Sequence, residues 1–233
     1  MSLKYLPLVG ALAIAGQAGA KTINMTDFQF GPPVTVDMTN TAEGPSYDGI
    51  AGAFQGDEVA VPVVGALLRS SVALSAVDPA SFTAWCAELT QSFSFGVTYD
   101  YTQVSGTSYF TGQKAADLSR LFTATHGIVF DSSTSAAMQA GIWEIIYEKG
   151  TAYGFATGNF TGVPEKAGDQ AAFDTINGYL THLSDYKADY RIDVLTNGDH
   201  QDFLVATIPE PETWALLVAG LGVLGLLKRR RRA

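Results

Sequence analysis

Between Ser135 and Glu148 the chain reads Ser-Ala-Ala-Met-Gln-Ala-Gly-Ile-Trp-Glu-Ile-Ile-Tyr-Glu, a stretch of helix-forming length in which almost every face is apolar. Ala136, Ala137, Met138, Ala140, Ile142, Trp143, Ile145 and Ile146 leave no polar stripe, so a helix here must be enclosed by protein instead of lying on a surface. That requirement sets the architecture, because other layers have to be built around this element. Gln139 is the exception within it. The ordinary reading of a buried glutamine is that its carboxamide is hydrogen-bonded to backbone. A second reading begins upstream, where the chain places its one cysteine in Phe82-Thr83-Ala84-Trp85-Cys86-Ala87-Glu88-Leu89.

A lone cysteine after an aromatic residue, followed later by Gln-Ala-Gly-Ile-Trp, resembles the signature of the bacterial surface thioester domains over roughly residues 82–148. In that family the cysteine sulfur and the glutamine side-chain carbonyl condense with loss of ammonia, and an amine on a partner later attacks the thioester. The resemblance implies that Cys86 and Gln139 are the reacting pair. Trp85, next to Cys86, and Trp143, four residues after Gln139, are the candidate dry walls of the site, since indole rings bury large apolar areas. A free thiol titrates near ~8.5, so a base would help it react, and adjacency nominates Glu88 and Glu144. The ordinary reading of Cys86 itself is a small buried hydrophobe.

The two ends carry addresses. A short basic start ending at Lys4, an apolar run from Tyr5 to Gly16 and the small residues Ala18-Gly19-Ala20 form a secretory signal peptide, residues 1–20. Export places the body in an oxidising compartment, where a single cysteine has no internal disulfide partner. At the other end, Pro209-Glu210-Pro211 precedes an apolar run from Trp214 to Leu227 and the basic cluster Lys228, Arg229, Arg230, Arg231, Arg232. This order resembles the PEP-CTERM sorting signal of Gram-negative bacteria, which implies recognition and removal by an exosortase, a membrane protease. The 14 residues from Trp214 to Leu227 would make about 21 Å of helix at ~1.5 Å per residue, against ~30 Å of hydrocarbon. Such a tail spans the inner membrane only transiently, with Trp214 at one interface and the arginines snorkelling on the cytoplasmic side. The glycines at 220, 222 and 225 spell a dinucleotide-binding pattern, but no strand precedes them, so they read as helix-packing or tail-flexibility residues.

Residues 21–208 remain for one domain with a real core. The chain's net charge is −9, and because Lys4 and the five basic tail residues belong to the addresses, 8 of its 14 basic residues remain for this body. An acidic body argues against nucleic-acid binding. The segment from Lys21 to Gly65, rich in Gly, Pro, Thr and Asp, predicts strands separated by loops. Alternation of Phe93, Phe95, Val97, Tyr99 and Tyr101 predicts a half-buried strand over Ser92 to Tyr101, with Cys86 in a helix or loop feeding it. Helical spacing predicts helices over Ala115 to Thr125 and Asp169 to Leu183, and Asp131-Ser132-Ser133 offers N-caps to the Gln139 helix. Tyr190, Ile192 and Val194 alternate, Asn197-Gly198 marks a turn, and the chain returns from Phe203 to Ala206 as a hairpin. The expected fold is α+β: a single domain with strands at both ends, sandwich or barrel-like, and a central helical part, flanked by the signal peptide and the sorting tail, residues 209–233.

His126, His182 and His200 have no ligand spacing, so no metal is expected, and no cofactor is implied. A Cys86–His126 hydrolase lacks a motif around either residue. Two classes are left, neither an enzyme. One is a covalent adhesin that couples once to an amine on a surface protein or matrix polysaccharide. The other is a non-covalent structural component of the envelope or of the exopolysaccharide matrix.

Overall fold

The computed structural model describes residues 19–42, 44–59 and 81–208. Most of the signal peptide, the run from Ala60 to Val64 and the whole tail from Pro209 to Ala233 lie outside the described residues. Six strands close a barrel: β1 (Gly19–Phe28), β4 (Phe54–Glu58), β5 (Ser81–Cys86), β9 (Phe203–Thr207), β8 (Arg191–Thr196) and β6 (Thr98–Ser105), in that order around the wall. All six pairings are antiparallel. A second sheet runs β3 (Tyr47–Ala51), β2 (Val34–Asn40), β7 (Phe160–Pro164). The helices α1 (Gly106–Tyr109), α2 (Gly112–Ala124), α3 (Ser132–Tyr147) and α4 (Gln170–Leu180) come from the middle and later part of the chain. The α+β class, with strands at both ends and helices between, is as the sequence predicts, and of the two strand architectures the chain adopts the barrel.

Helix α3 is the element around which the layers assemble. It packs on α2 and α4 on one side and on all three strands of the smaller sheet on another, and every residue from Ser135 to Ile145 is buried. Gly141 lets it approach α4 and α2, since a Cβ there would stand 3.1 Å from Ile176 Cγ2 and 3.4 Å from Leu121 Cδ2. Its start is fixed by Asp131. That carboxylate accepts from the Thr134 amide at 2.8 Å, and the Thr134 hydroxyl accepts in return from the Asp131 amide at 3.2 Å, a reciprocal cap that satisfies two otherwise orphaned donors.

Two apolar cores result. Ile23, Met25, Phe54, Ala84, Tyr101, Leu195 and Phe203 fill the barrel, while a larger cluster containing Trp85, Met138, Ile142, Trp143 and Val194 lies between the barrel, the helices and the small sheet. Several strand boundaries differ from expectation. Residues 92–97 form a loop, not a strand, with Gly96 at φ +73°, because Phe93 turns inward against the barrel core instead of pairing along its wall. Strand β6 begins only at Thr98. Cys86 ends strand β5 and is not in a helix or loop leading to β6. Four successive residues of β8, Ile192 to Leu195, are buried, since this strand is covered by the barrel interior on one face and by the larger core on the other. The helix predicted from Asp169 to Leu183 is a 3₁₀ turn, Ala167–Asp169, followed by α4 and a second 3₁₀ turn, Leu183–Asp185. Strand β1 starts at Gly19, two residues inside the predicted signal peptide.

Candidate functional site

Alternation along β5 decides which way its residues face. Ala84 points into the barrel core, Trp85 into the larger core beside Phe122, and Cys86, at the strand's end, touches both clusters. Gln139 reaches it from α3. The Cys86 backbone N–H donates to Gln139 Oε1 at 2.8 Å, and Gln139 Nε2 donates to the Cys86 carbonyl at 3.0 Å. Because a backbone N–H can only donate and a carbonyl only accept, this pair of bonds fixes which end of the carboxamide is oxygen. Residues 53 apart in the chain are thus held by a two-bond clamp in which the Gln139 side chain meets the Cys86 main chain.

A cavity of about 280 Å³ opens at this point. Tyr47, Trp143 and Leu89 line it beside Cys86, and Phe28, Phe54, Phe93 and Phe95 form an aromatic wall in which neighbouring rings lie 5.0 to 6.0 Å apart. Ile50 and Phe95 stand at its mouth, 51% and 42% exposed. The sequence reading had no signal for this wall, since the aromatic alternation of Phe93 and Phe95 reads equally well as one face of a strand. Tyr47 packs on Trp143 with ring centroids 4.9 Å apart and donates its hydroxyl to the Ile50 carbonyl at 2.7 Å.

The other nominated residues separate clearly. Trp143 lines the cavity, four residues after Gln139 and so on the same helix face. Its Nε1 is buried and has no hydrogen-bond partner among the described residues. Trp85 lines a different cleft, with Phe122, His126 and Tyr190, because strand alternation turns it away from its neighbour's side chain. Glu88 lines the Cys86 cavity. One of its oxygens accepts from the Thr90 hydroxyl at 2.9 Å and the other from the Asp202 amide at 3.2 Å. Glu144 does not line it. Five residues past Gln139, it is carried to another side of α3, where Oε1 accepts from the Gly154 amide at 2.9 Å.

Electrostatics at the site favour the neutral thiol. Burial, reinforced by the Glu88 charge, pushes the Cys86 thiol well above its ordinary value, so attack on an acyl carbon needs a proton acceptor at the moment of reaction. Burial also raises Tyr147, whose hydroxyl accepts from the Leu89 amide, to about 12. Among the described residues no group of three or more His, Cys, Asp or Glu is arranged to hold a metal ion, and no helix is long and apolar enough to cross a membrane.

Residues 207–232 match the family model of the PEP-CTERM protein-sorting motif. No curated protein sequence matches the chain. Among solved structures, the N-terminal thioester domain of a surface protein from Clostridium perfringens aligns with a TM-score of 0.41 and 10% sequence identity, covering 75% of this chain and 99% of that one. The chain therefore carries a PEP-CTERM sorting motif, which implies membrane transit, processing by an exosortase and export as a surface protein.

Proposed function

We propose that this protein is a covalent surface adhesin in which Cys86 and Gln139 condense to an internal thioester that is later opened by an amine on a partner. The observation that carries the reading is the clamp: the Gln139 carboxamide lies against the Cys86 backbone, so the two residues whose side chains would react are held in direct contact. In the forming step the sulfur attacks Gln139 Cδ, the C–N bond breaks, and the thiol proton leaves with the nitrogen as ammonia. The Cys86 N–H already donates to Oε1 and would stabilise the negative charge that grows there in the tetrahedral intermediate. Glu88, in the same cavity, is the candidate carrier of the proton from sulfur to the departing nitrogen. In the second step the partner's amine attacks Cδ, the C–S bond breaks, and Cys86 returns as a thiol. The protein is consumed once and is not an enzyme.

The same clamp also favours a second reading. Both polar ends of the buried Gln139 amide are satisfied, which is what a purely structural glutamine requires. On that reading the protein is a non-covalent component of the envelope or of its polysaccharide matrix. The two are separated by incubating the exported protein with methylamine and mapping its peptides. The covalent reading expects a methylamide at Gln139 together with a newly free Cys86, both lost in Cys86→Ala and in Gln139→Ala. An unmodified Gln139 in nucleophile-free preparations contradicts it.

A further inference from the structure

The chain leaves the barrel at the end opposite Cys86. Strands β1, β4 and β5 each reach both ends of the wall: Phe28, Phe54 and Cys86 line the cavity already described, whereas Lys21, Glu58 and Ser81 line a second one of about 200 Å³. Strand β5 alone, Ser81–Cys86, separates the two by about 17 Å at ~3.3 Å per residue. The second cavity has an apolar lining of Ile23, Phe82, Leu195 and Val205, and Lys21 and Glu58 form an ion pair beside it. Val59 and Ile208, which follow β4 and β9, are 39% and 57% exposed.

The sorting motif begins at Thr207, the last residue of β9, and Ile208 alone stands between that strand and Pro209. Strand β9 is held to its end, because Thr207 still pairs with Arg191 and both Phe203 and Leu204 are 0% exposed. An extended residue spans at most ~3.6 Å, so a protease that grips Pro209-Glu210-Pro211 has the closed barrel within roughly 7 Å of the first proline. It cannot take hold of the motif without meeting this end of the body.

We infer that the barrel end formed by Val59, Ile208 and the Lys21–Glu58 pair is a docking surface for the membrane protease that processes the sorting motif. The partner surface that fits it is apolar where it meets Val59 and Ile208 and polar where it meets the ion pair. The same geometry turns the Cys86 cavity away from the membrane while the tail is attached, so processing and partner capture use opposite ends of the barrel. The inference rests on the sorting motif and is independent of the thioester reading.

The test follows tail removal in the host after a pulse of isotope-labelled synthesis, as the ratio of full-length to shortened protein by mass. Val59→Asp and Glu58→Lys should each slow removal by roughly tenfold or more, because each puts an unmatched charge into the contact. Val163→Asp makes the first of these changes at a valine on β7 that is 53% exposed and outside the cavity lining, and it should leave the rate unchanged. A Gly-Ser spacer ending in a second Thr-Ile pair, inserted after Ile208, keeps the sequence before Pro209 and moves the barrel away from it. With this spacer the two barrel-end variants should be processed at the same rate as the otherwise unaltered body. Wild-type rates for both variants at native spacing overturn the inference. So does a slowing that persists undiminished on the spacer, since that reports damage to the body and not loss of a contact.

Discussion

Gln139 bonds to the main chain of Cys86 and not to its sulfur, which makes the two obvious variants unequal. Cys86→Ala keeps both bonds of the clamp, whereas Gln139→Ala leaves a buried N–H and a carbonyl unpaired and should cost about 1–3 kcal/mol. Both abolish the thioester, but denaturant midpoints should separate them, with Gln139→Ala clearly the less stable; equal midpoints would mean that the clamp contributes little. Trp143 is 2% exposed, and Trp143→Ala should cost about 3–5 kcal/mol through the cavity it leaves and should also open the Cys86 site to water. Glu144 has a different signature. Burial raises its carboxyl to about 8, with the Gly154 N–H opposing and the Glu148 charge adding to the rise. The unfolded group titrates near ~4.3, so between these values the folded state holds a proton that the unfolded state has released. Stability should therefore fall as pH rises from about 5 to about 8. Glu144→Gln should flatten that slope in urea midpoints taken across this range, and an unchanged slope would assign it to other groups.

At the scale of elements, the cap of α3 is the cheapest to test. Asp131→Ala removes the acceptor for the Thr134 amide and should cost about 1 kcal/mol, measurable as a shift in thermal midpoint with the fold retained. Helix α3 was legible in the sequence because a run with no polar stripe can only be enclosed, and its start was legible to within the three cap candidates Asp131, Ser132 and Ser133, of which the chain uses Asp131. The site was half legible. Cys86, Gln139, Trp143 and Glu88 meet, but Trp85 and Glu144 were nominated by adjacency in the chain, and neither a strand nor a helix keeps sequence neighbours on one face. The loop over residues 92–97 has the pattern of a strand for a related reason. Alternating aromatics are what a half-buried strand shows, and only the closed barrel, whose end needs a plug, turns Phe93 against Phe203 with ring centroids 5.0 Å apart. Strand β8 kept its hairpin partner but lost its alternation, because layers on both sides leave no solvent face.

Over the whole molecule, a closed six-stranded barrel and a three-stranded sheet pack with a helix whose buried Gln139 faces the end of a barrel strand. The wall without edges suits an exported protein, since unpaired strand edges invite association. The sorting motif at residues 207–232 begins within β9, which ends at Thr207, so removal of the tail beyond Pro209-Glu210-Pro211 would spare every described strand. Mass spectrometry of the protein from its host should find a body that lacks residues 1–20 and the segment after the Pro-Glu-Pro motif, and an exported pool retaining Arg229 to Arg232 would contradict that processing. The central claim is read most directly from the intact mass of this body, purified without nucleophiles in the buffer. The thioester account predicts a mass lower than the sequence requires by one ammonia, a Cys86 that resists thiol reagents, and recovery of a reactive thiol on adding methylamine. A protein of full sequence mass that is indifferent to methylamine would contradict it.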